Sequence, residues 1–414
     1  MKRVLLVIVV LLSGSGRAHA AETRPLELAD GDRVVFLGST YIERMQSYDY
    51  LETLLTAAYS DRNITFRNLG WSGDDVTGLA RAVFGQPIDG FKRLERDLVQ
   101  AKPTVIIVCY GGNEAHAGEA GLSEFEAGLN RLLETISQTK ARIVIASPMS
   151  YENVGSPLPD PNRYNTQLRK YCEVLASVAN DRELPFIDLY QRLDAIQDVS
   201  APPSIRTRLT DNGLHLNEFG YWRTASRFAR ALGADIPAWK VDLDVATNSM
   251  DVTGTMVSEV KTTDKEVSFS VVDQTLPFSP APNTSPRGGK LAMPHSIFRI
   301  RGLAEGQYGL QIDNRPTILA DEKQWAAGVH IYRGEYLPQV EKLRLAIQKK
   351  NELHFHRHRP QNETYLFLFR KHEQGNNAVE IPQFDPLIES QEKQIANLSK
   401  PTKNTYRLVR VDEK

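Results

Sequence analysis

The sequence predicts an α/β protein built on a doubly wound parallel sheet, followed by a smaller β-rich part and a helical tail. Three observations carry this. From Asp32 to about Ala238, short β-branched runs alternate with amphipathic helical ones. The strand-like runs of that region are apolar nearly throughout, so both their faces must be covered, which the intervening helices can do. After Trp239 the helical segments disappear and strand-like runs follow one another.

In order, the predicted strands of the first part are "RVVFLG", "ITFRNLG", "TVIIVCYGG", "RIVIASPM" and "LPFIDLY". Between them "YDYLETLLTAAY", "GFKRLERDLVQ", "SEFEAGLNRLLETISQT" and "NRYNTQLRKYCEVLASVAND" place apolar residues at three- and four-residue spacing and read as helices. The runs "KVDLDVATN", "MDVTGTMVSEV", "KEVSFSVVD", "SIFRIRGL" and "QYGLQID" predict a small antiparallel β-domain. Within it "TLPFSPAPNTSPRGGKLAMP" has loop composition and reads as an exposed irregular excursion. A helix is expected from Glu335 to about Lys350, and another over "DPLIESQEKQIANLSK", while "YLFLF" reads as a strand and "LHFHRH" is considered as one. The boundaries that follow are residues 21–238 for the α/β domain, 239–331 for the β-domain and 332–414 for a C-terminal segment packing back on the first.

Composition excludes several classes of function. Lys plus Arg total 50 against 51 Asp plus Glu, so no long-range field draws nucleic acid or an anionic membrane. Lys2 and Arg3, an apolar run from Val4 to Leu12 and the small residues around Ala18-His19-Ala20 read as a secretory signal peptide over residues 1–20, predicting export to a periplasmic or extracellular space. The run is too short for a membrane anchor, which needs about 20 apolar residues, and no later segment is long and apolar enough to span a bilayer. Cys109 and Cys172 are the only cysteines and read as small buried residues, so the chain is not a disulfide scaffold.

In a doubly wound sheet, ligands bind outside the carboxyl ends of the strands. Those ends carry Gly38-Ser39-Thr40, then "NLGWSGDD" with Gly73, then "YGGNEA" with Asn113, and finally "LTDNGLHLNEFGYW" with His215. Acyl transfer needs a hydroxyl nucleophile, an imidazole base, a partner that orients the imidazole, and donors where the oxyanion forms. This set offers each: Ser39 or Thr40, His215, Asp211 or Asn212, and Gly73 with Asn113. Taken singly, the glycines could serve only a turn and Asn113 only a helix cap.

These blocks, in this order over Val34 to about Trp222, resemble the SGNH hydrolases, also called GDSL-type esterases and lipases. The resemblance implies a flavodoxin-like sheet of about five parallel strands, oxyanion donors at Gly73 and Asn113, and a base at His215. Two positions depart from the family pattern. Gly-Ser-Thr stands where the family has Gly-Asp-Ser, so Thr40 holds the nucleophile position, with Ser39 one place early; Asn212 replaces the family's Asp, with Asp211 one place early. A Thr methyl crowds a tight turn, and an Asn partner supplies no charge to the imidazolium and can favour the wrong tautomer, a change that costs about 10⁴ in kcat in the well-known protease case.

Two functions follow from these residues. One is a hydrolase of activated esters, above all carbohydrate O-acyl (acetyl) esters, which needs no cofactor and no metal. The other is a noncatalytic relative that keeps the cleft to bind a carbohydrate. The retained oxyanion elements favour the first. A second constellation, "LHFHRHRPQNET", would place His354, His356 and His358 on one strand face at zinc-ligand spacing, but the surrounding arginines disfavour a dication. Arg357, Arg359, Asn362 and Glu363 could instead reach the cleft as binding groups for sugar hydroxyls or a sugar carboxylate, or act as a salt-bridged scaffold.

Overall fold

The computed structural model describes residues 26–190, 208–234, 238–282 and 296–411. The expected leader at residues 1–20 lies outside them. Strands β1 (Arg33–Gly38), β2 (Thr65–Asn68), β3 (Val105–Cys109), β4 (Arg142–Ala146) and β5 (Phe186–Ile187) form one parallel sheet in the order β2-β1-β3-β4-β5. Alternate residues of each strand serve opposite cores. Val34, Phe36 and Ile107 face α2 (Tyr50–Ala58) and α6 (Glu218–Ala231), while Val35, Leu37 and Ile106 face α3 (Pro87–Ala101), α4 (Leu122–Ser137) and α5 (Asn162–Asp181). Burial on both faces is what the unbroken apolar runs require. The strand order reverses at β1, so the loops after β1 and β3 part there and leave a crevice.

The β-rich part is two sheets rather than one purely antiparallel unit. Strands β6 (Lys240–Asp244), β7 (Ser249–Thr253), β10 (Ser296–Arg301) and β13 (Val329–Ile331) run in the order β13-β10-β6-β7, and β6 pairs with β10 in parallel. Strands β8 (Thr255–Thr262), β9 (Glu266–Asp273), β11 (Gln307–Ile312), β12 (Arg315–Asp321) and β14 (Lys403–Val411) form an antiparallel sheet in the order β12-β11-β14-β9-β8. Trp239, Phe269, Phe298, Trp325 and Tyr406 fill the core between them.

Four expectations are corrected. The C-terminal segment does not pack wholly on the α/β domain, because β14 lies at the centre of the second sheet, with Tyr406 and Leu408 inward and Arg407 outward on Glu266. "LHFHRH" is not a strand. It ends α8 (Pro338–His358), whose 3.6-residue rhythm of Val340, Leu343 and Ile347 carries on to buried His354 and His358. Those two rings stack at 5.8 Å, one helical turn apart, so three histidines do not share a face. "YLFLF" is likewise no strand: Phe367 N–H bonds to Glu363 O at 2.8 Å, a local turn, leaving Phe367 and Phe369 exposed. Finally, the loop after β9 is not wholly exposed, since Leu276, Phe278 and Ser279 are buried and Trp222 Nε1–H donates to Ser279 O at 3.0 Å. The rest of that loop, residues 283–295, lies outside the described residues.

Helix α8 is tied to α2 by buried polar groups. Lys350 Nζ donates to Glu52 Oε1 at 2.7 Å and to Phe66 O at 3.0 Å, and Asn351 Nδ2 donates to Asp49 Oδ1 at 2.7 Å and Glu52 Oε2 at 2.8 Å. The Lys350 and Glu52 side chains are 1% and 7% exposed. Removing one partner of such a pair leaves the other charge buried and uncompensated. Lys350→Met is therefore expected to destabilise the protein by about 3–5 kcal/mol in denaturant unfolding, and Lys350→Met with Glu52→Gln to recover part of that loss.

Candidate functional site

The site lies at the crevice and is built from four strand-ending loops. β1 ends at Gly38, and Ser39 takes an extended conformation as the N-cap of α1 (Thr40–Met45). Ser39 Oγ accepts a hydrogen bond from Asn113 Nδ2 at 2.9 Å, and Thr40 Oγ1 accepts one from the Gly73 N–H at 3.1 Å. The two hydroxyls of the first loop thus meet the two candidate oxyanion donors.

The loop that carries Gly73 must come very close to α1. A side chain at Gly70 would put its Cβ 2.3 Å from the Glu43 nitrogen, and Gly73 itself sits at φ +79°. From outside, Glu43 Oε2 accepts the Ser72 N–H at 2.6 Å and receives Arg359 Nη1 at 2.8 Å. Asn113 Nδ2 also donates to Asp74 O at 2.6 Å, joining the second and third loops. Glu114 adds to this seam, with Oε1 on Val76 N–H and Oε2 on Gly111 N–H; burial pushes its carboxyl up to about 7.

His215 sits on a short hairpin in which Thr210 and Leu216 pair and the Asp211 N–H donates to His215 O at 2.8 Å. Buried Glu152 anchors it, its carboxylate accepting from Leu209 N–H at 3.1 Å, Thr210 N–H at 2.9 Å and Thr210 Oγ1 at 2.5 Å. Asn212 Oδ1 accepts the backbone N–H groups of Leu214 and His215 at 3.1 and 2.9 Å, which turns its Nδ2 toward His215 Nδ1, 3.4 Å away. An amide N–H facing Nδ1 favours the tautomer protonated at Nε2, which is a donor rather than a base on its other side. Asp211 does not supply the carboxylate. It points away to Arg44 Nη2 at 3.2 Å. Partial burial and then the Arg44 charge hold His215 below the usual imidazole range, with Asp211 opposing them.

Ser39, Thr40, Asn113 and His215 line one cleft of about 640 Å³ with Tyr41, Arg44, Pro148, Met149, Tyr151, Leu214 and Tyr221. Gly73 adjoins it through Thr40. Among the described residues no hydrogen bond joins His215 to either hydroxyl. Tyr151 of this lining stacks on Tyr164 at 4.1 Å, and the His116 ring lies tilted against Tyr164 at 4.5 Å. Cys109, at the base of the cleft, and Cys172 are both free and buried, and burial pushes the Cys109 thiol up to about 12, so neither is a poised nucleophile.

The tail residues expected to bind substrate do not line this cleft. Arg357 pairs with Asp385 at 2.9 Å, Asn362 heads a helical turn, and Glu363 pairs with Arg93. Arg359 instead lies 3.8 Å over the Trp71 ring and holds Glu43, so it supports the Gly73 loop from behind. Of these residues only Arg357 lies on α8, which sets it toward α9 (Phe384–Leu398), while Glu363 of the following turn meets Arg93 of α3. Among the described residues no group of three His, Cys, Asp or Glu could hold a metal ion. Sequence reasoning missed Arg44 and Glu152. Arg44 was findable, being one helical turn after Thr40; Glu152 is a lone carboxylate in a loop and gave no signal.

Residues 37–223 match the model of the GDSL-like Lipase/Acylhydrolase family. No curated protein matches the sequence. Among solved structures, a gut microbial diltiazem-metabolizing enzyme is similar at a TM-score of 0.73 and 16% identity, covering 94% of this chain and 100% of its own, so the architecture is shared across the α/β and β-rich parts. An acetyl xylan esterase is similar at a TM-score of 0.39 and 18% identity over 48% of this chain and 99% of its own. A GDSL-like lipase from Bacteroides thetaiotaomicron gives 0.33 and 17% over 49% and 88%.

Because the Arg44 cation disfavours the imidazolium and Asp211 favours it, Arg44→Met is expected to raise the His215 pKa and Asp211→Asn to lower it further. Imidazole titration followed by NMR reads both shifts, and equal pKa values in the three proteins would contradict this electrostatic account.

Proposed function

We propose that the protein is an acyl-ester hydrolase of low turnover, with Thr40 as nucleophile and His215 as base. The single observation that carries the proposal is the gathering, in one cleft, of two hydroxyls already hydrogen-bonded to Gly73 N–H and Asn113 Nδ2, with an imidazole on the same rim. The family match over residues 37–223 spans all of these residues.

In this reading the ester carbonyl enters between the hydroxyls and His215. Thr40 Oγ1 attacks the carbonyl carbon and its proton passes to His215 Nε2, while the carbonyl oxygen becomes the oxyanion, held by Gly73 N–H and Asn113 Nδ2–H. The C–O bond to the alcohol then breaks and the imidazolium protonates the leaving oxygen; water, deprotonated by the same imidazole, attacks the acyl carbon, the bond to Thr40 Oγ1 breaks, and the imidazolium returns its proton to that oxygen as the acid leaves. Ser39 Oγ must yield its place on Asn113 to the oxyanion. Asn212 makes the reaction slow, since Nε2 must first lose its own proton and the imidazolium gains no neighbouring carboxylate.

For the substrate we propose carbohydrate O-acyl esters, acetyl above all. Tyr151 lines the cleft, held by Tyr164 behind it, and offers an aromatic surface against which a sugar ring could pack beside the hydroxyls. We also propose export, on the leader at residues 1–20. A noncatalytic carbohydrate-binding protein is the second reading, favoured by the Asn212 amide that faces Nδ1 and by the unmade bond from His215 to the hydroxyls.

Hydrolysis of an acetyl ester separates the two. Thr40→Ala and His215→Ala are each expected to abolish turnover, with Ser39→Ala retaining it. Asn212→Asp is expected to raise kcat by about 10² or more with little change in KM, because the carboxylate would accept Nδ1–H and free Nε2 as the base. No turnover by the natural chain or by Asn212→Asp on a panel of acyl esters would favour the binding protein.

A further inference from the structure

A second cleft, of about 990 Å³, opens between residues 81–85, the first turns of α3 and residues 363–369, and it shares no lining residue with the first. Its lining carries four cationic side chains, Arg81, Lys92, Arg93 and Arg96, against two carboxylates, Asp89 and Glu363. Both carboxylates are already engaged, Asp89 in capping the α3 N-terminus and Glu363 on Arg93.

The cations are not equally engaged. Lys92 makes no ion pair among the described residues, and Arg96, 56% exposed in its side chain, reaches only Asp97 Oδ1 at 3.4 Å. One helical turn apart on α3, the two project side by side from the rim. Deeper, Arg81 and Arg93 have side chains 0% and 6% exposed, yet Arg81 Nη1 and Arg93 Nε lack a hydrogen-bond acceptor. Both groups face Asp97 Oδ2, 3.9 and 3.8 Å away, while Arg81 Nε pairs with Asp74 Oδ2 at 2.7 Å and Arg93 Nη1 pairs with Glu363. This deeper pair is committed within the protein, and Lys92 and Arg96 are the cations the cleft offers to an anionic oxygen.

The other wall is aromatic. Phe84 and Phe369 are 74% and 68% exposed and meet edge to face at 6.1 Å. Phe84 is thrown outward by Val83, a β-branched residue held at φ 56°, ψ −98°. Strained backbone of this kind clusters at ligand sites. An exposed aromatic pair beside Lys92 and the exposed Arg96 fits a ligand with a flat apolar face and an anionic edge.

We infer that this cleft binds an acidic saccharide of the uronic acid type, its carboxylate on Lys92 and Arg96 and its ring face on Phe84 and Phe369. A bilayer would need a convex apolar surface rather than a cleft, and a long polyanion would need a net positive field, whereas the chain carries a net charge of −1. The inference does not depend on the ester-hydrolase reading, since the two clefts have no residue in common.

Calorimetric titration of the full chain with a trisaccharide of uronic acids, beside its neutral counterpart and a dinucleotide, tests this. The acidic trisaccharide alone is expected to bind. Lys92→Ala with Arg96→Ala is expected to weaken binding about tenfold or more, and Phe369→Ala about fivefold, with acetyl-ester turnover and the thermal midpoint unchanged. Phe84→Ala gives a second aromatic variant should Phe369→Ala unfold. Equal binding of the neutral sugar, tighter binding of the dinucleotide, no heat with any sugar at millimolar concentration, or binding indifferent to Lys92 and Arg96 would each overturn the assignment. Loss of ester turnover in every protein with binding intact would count against the hydrolase reading and support this one.

Discussion

One indole holds the site together. Trp71, two residues before Gly73, lies under three guanidinium groups, Arg359 at 3.8 Å, Arg93 at 4.6 Å and Arg81 at 5.4 Å from its ring. Each such contact is worth about 2 kcal/mol when desolvated. Arg81 and Arg93 come from the turn before α3 and from α3 itself, close in sequence, and Arg359 comes from the end of α8. The position of the Gly73 N–H is therefore supported both by near neighbours and by one residue from far later in the chain. Glu43 completes the arrangement by gripping both Arg359 and the Ser72 N–H.

Thr40 and Asn212 bear on the surroundings of the imidazole in different ways. On the pocket side, two hydroxyls rest on the two donors rather than on His215, so the resting site is satisfied without the base. On the far side, the backbone of the hairpin dictates the direction of the Asn212 amide, because its oxygen is committed to two N–H groups. The same backbone contacts would orient an Asp at this position in the same way. Arg44 adds a cation to that balance, held by the Asp211 that stands next to the altered position.

Much of this was legible in the sequence, and the rest was hidden for physical reasons. The parallel sheet announced itself because strands covered on both faces, such as Val105–Cys109, are apolar without interruption. Ser39, Thr40, Gly73, Asn113 and His215 were found because the fold puts strand-ending loops at one crevice. The strand reading of "LHFHRH" failed because alternation in a six-residue window mimics period two, while the helix is set by apolar residues that begin at Val340. Arg359 was open between a substrate contact and a salt-bridged scaffold, and it lies against Trp71 and Glu43. Its role depends on tertiary contacts with Trp71 and Glu43 that no local pattern records. Strand β14 was missed for the same reason, its partners being far away in the chain.

That last strand has a consequence for how the protein comes into being. Arg407 of β14 pairs with Glu266 of β9 across 141 residues of chain, and β11 flanks β14 on its other side. Until residues 403–411 arrive, β9 and β11 each present an unpaired edge with a cavity between them where Tyr406 and Leu408 belong. During synthesis the α/β domain can assemble early from near-neighbour contacts, whereas the second sheet must wait with two sticky edges exposed. Aggregation is thus a hazard of incomplete chains, and the vulnerable species is one in which the cleft around Ser39 and His215 already exists.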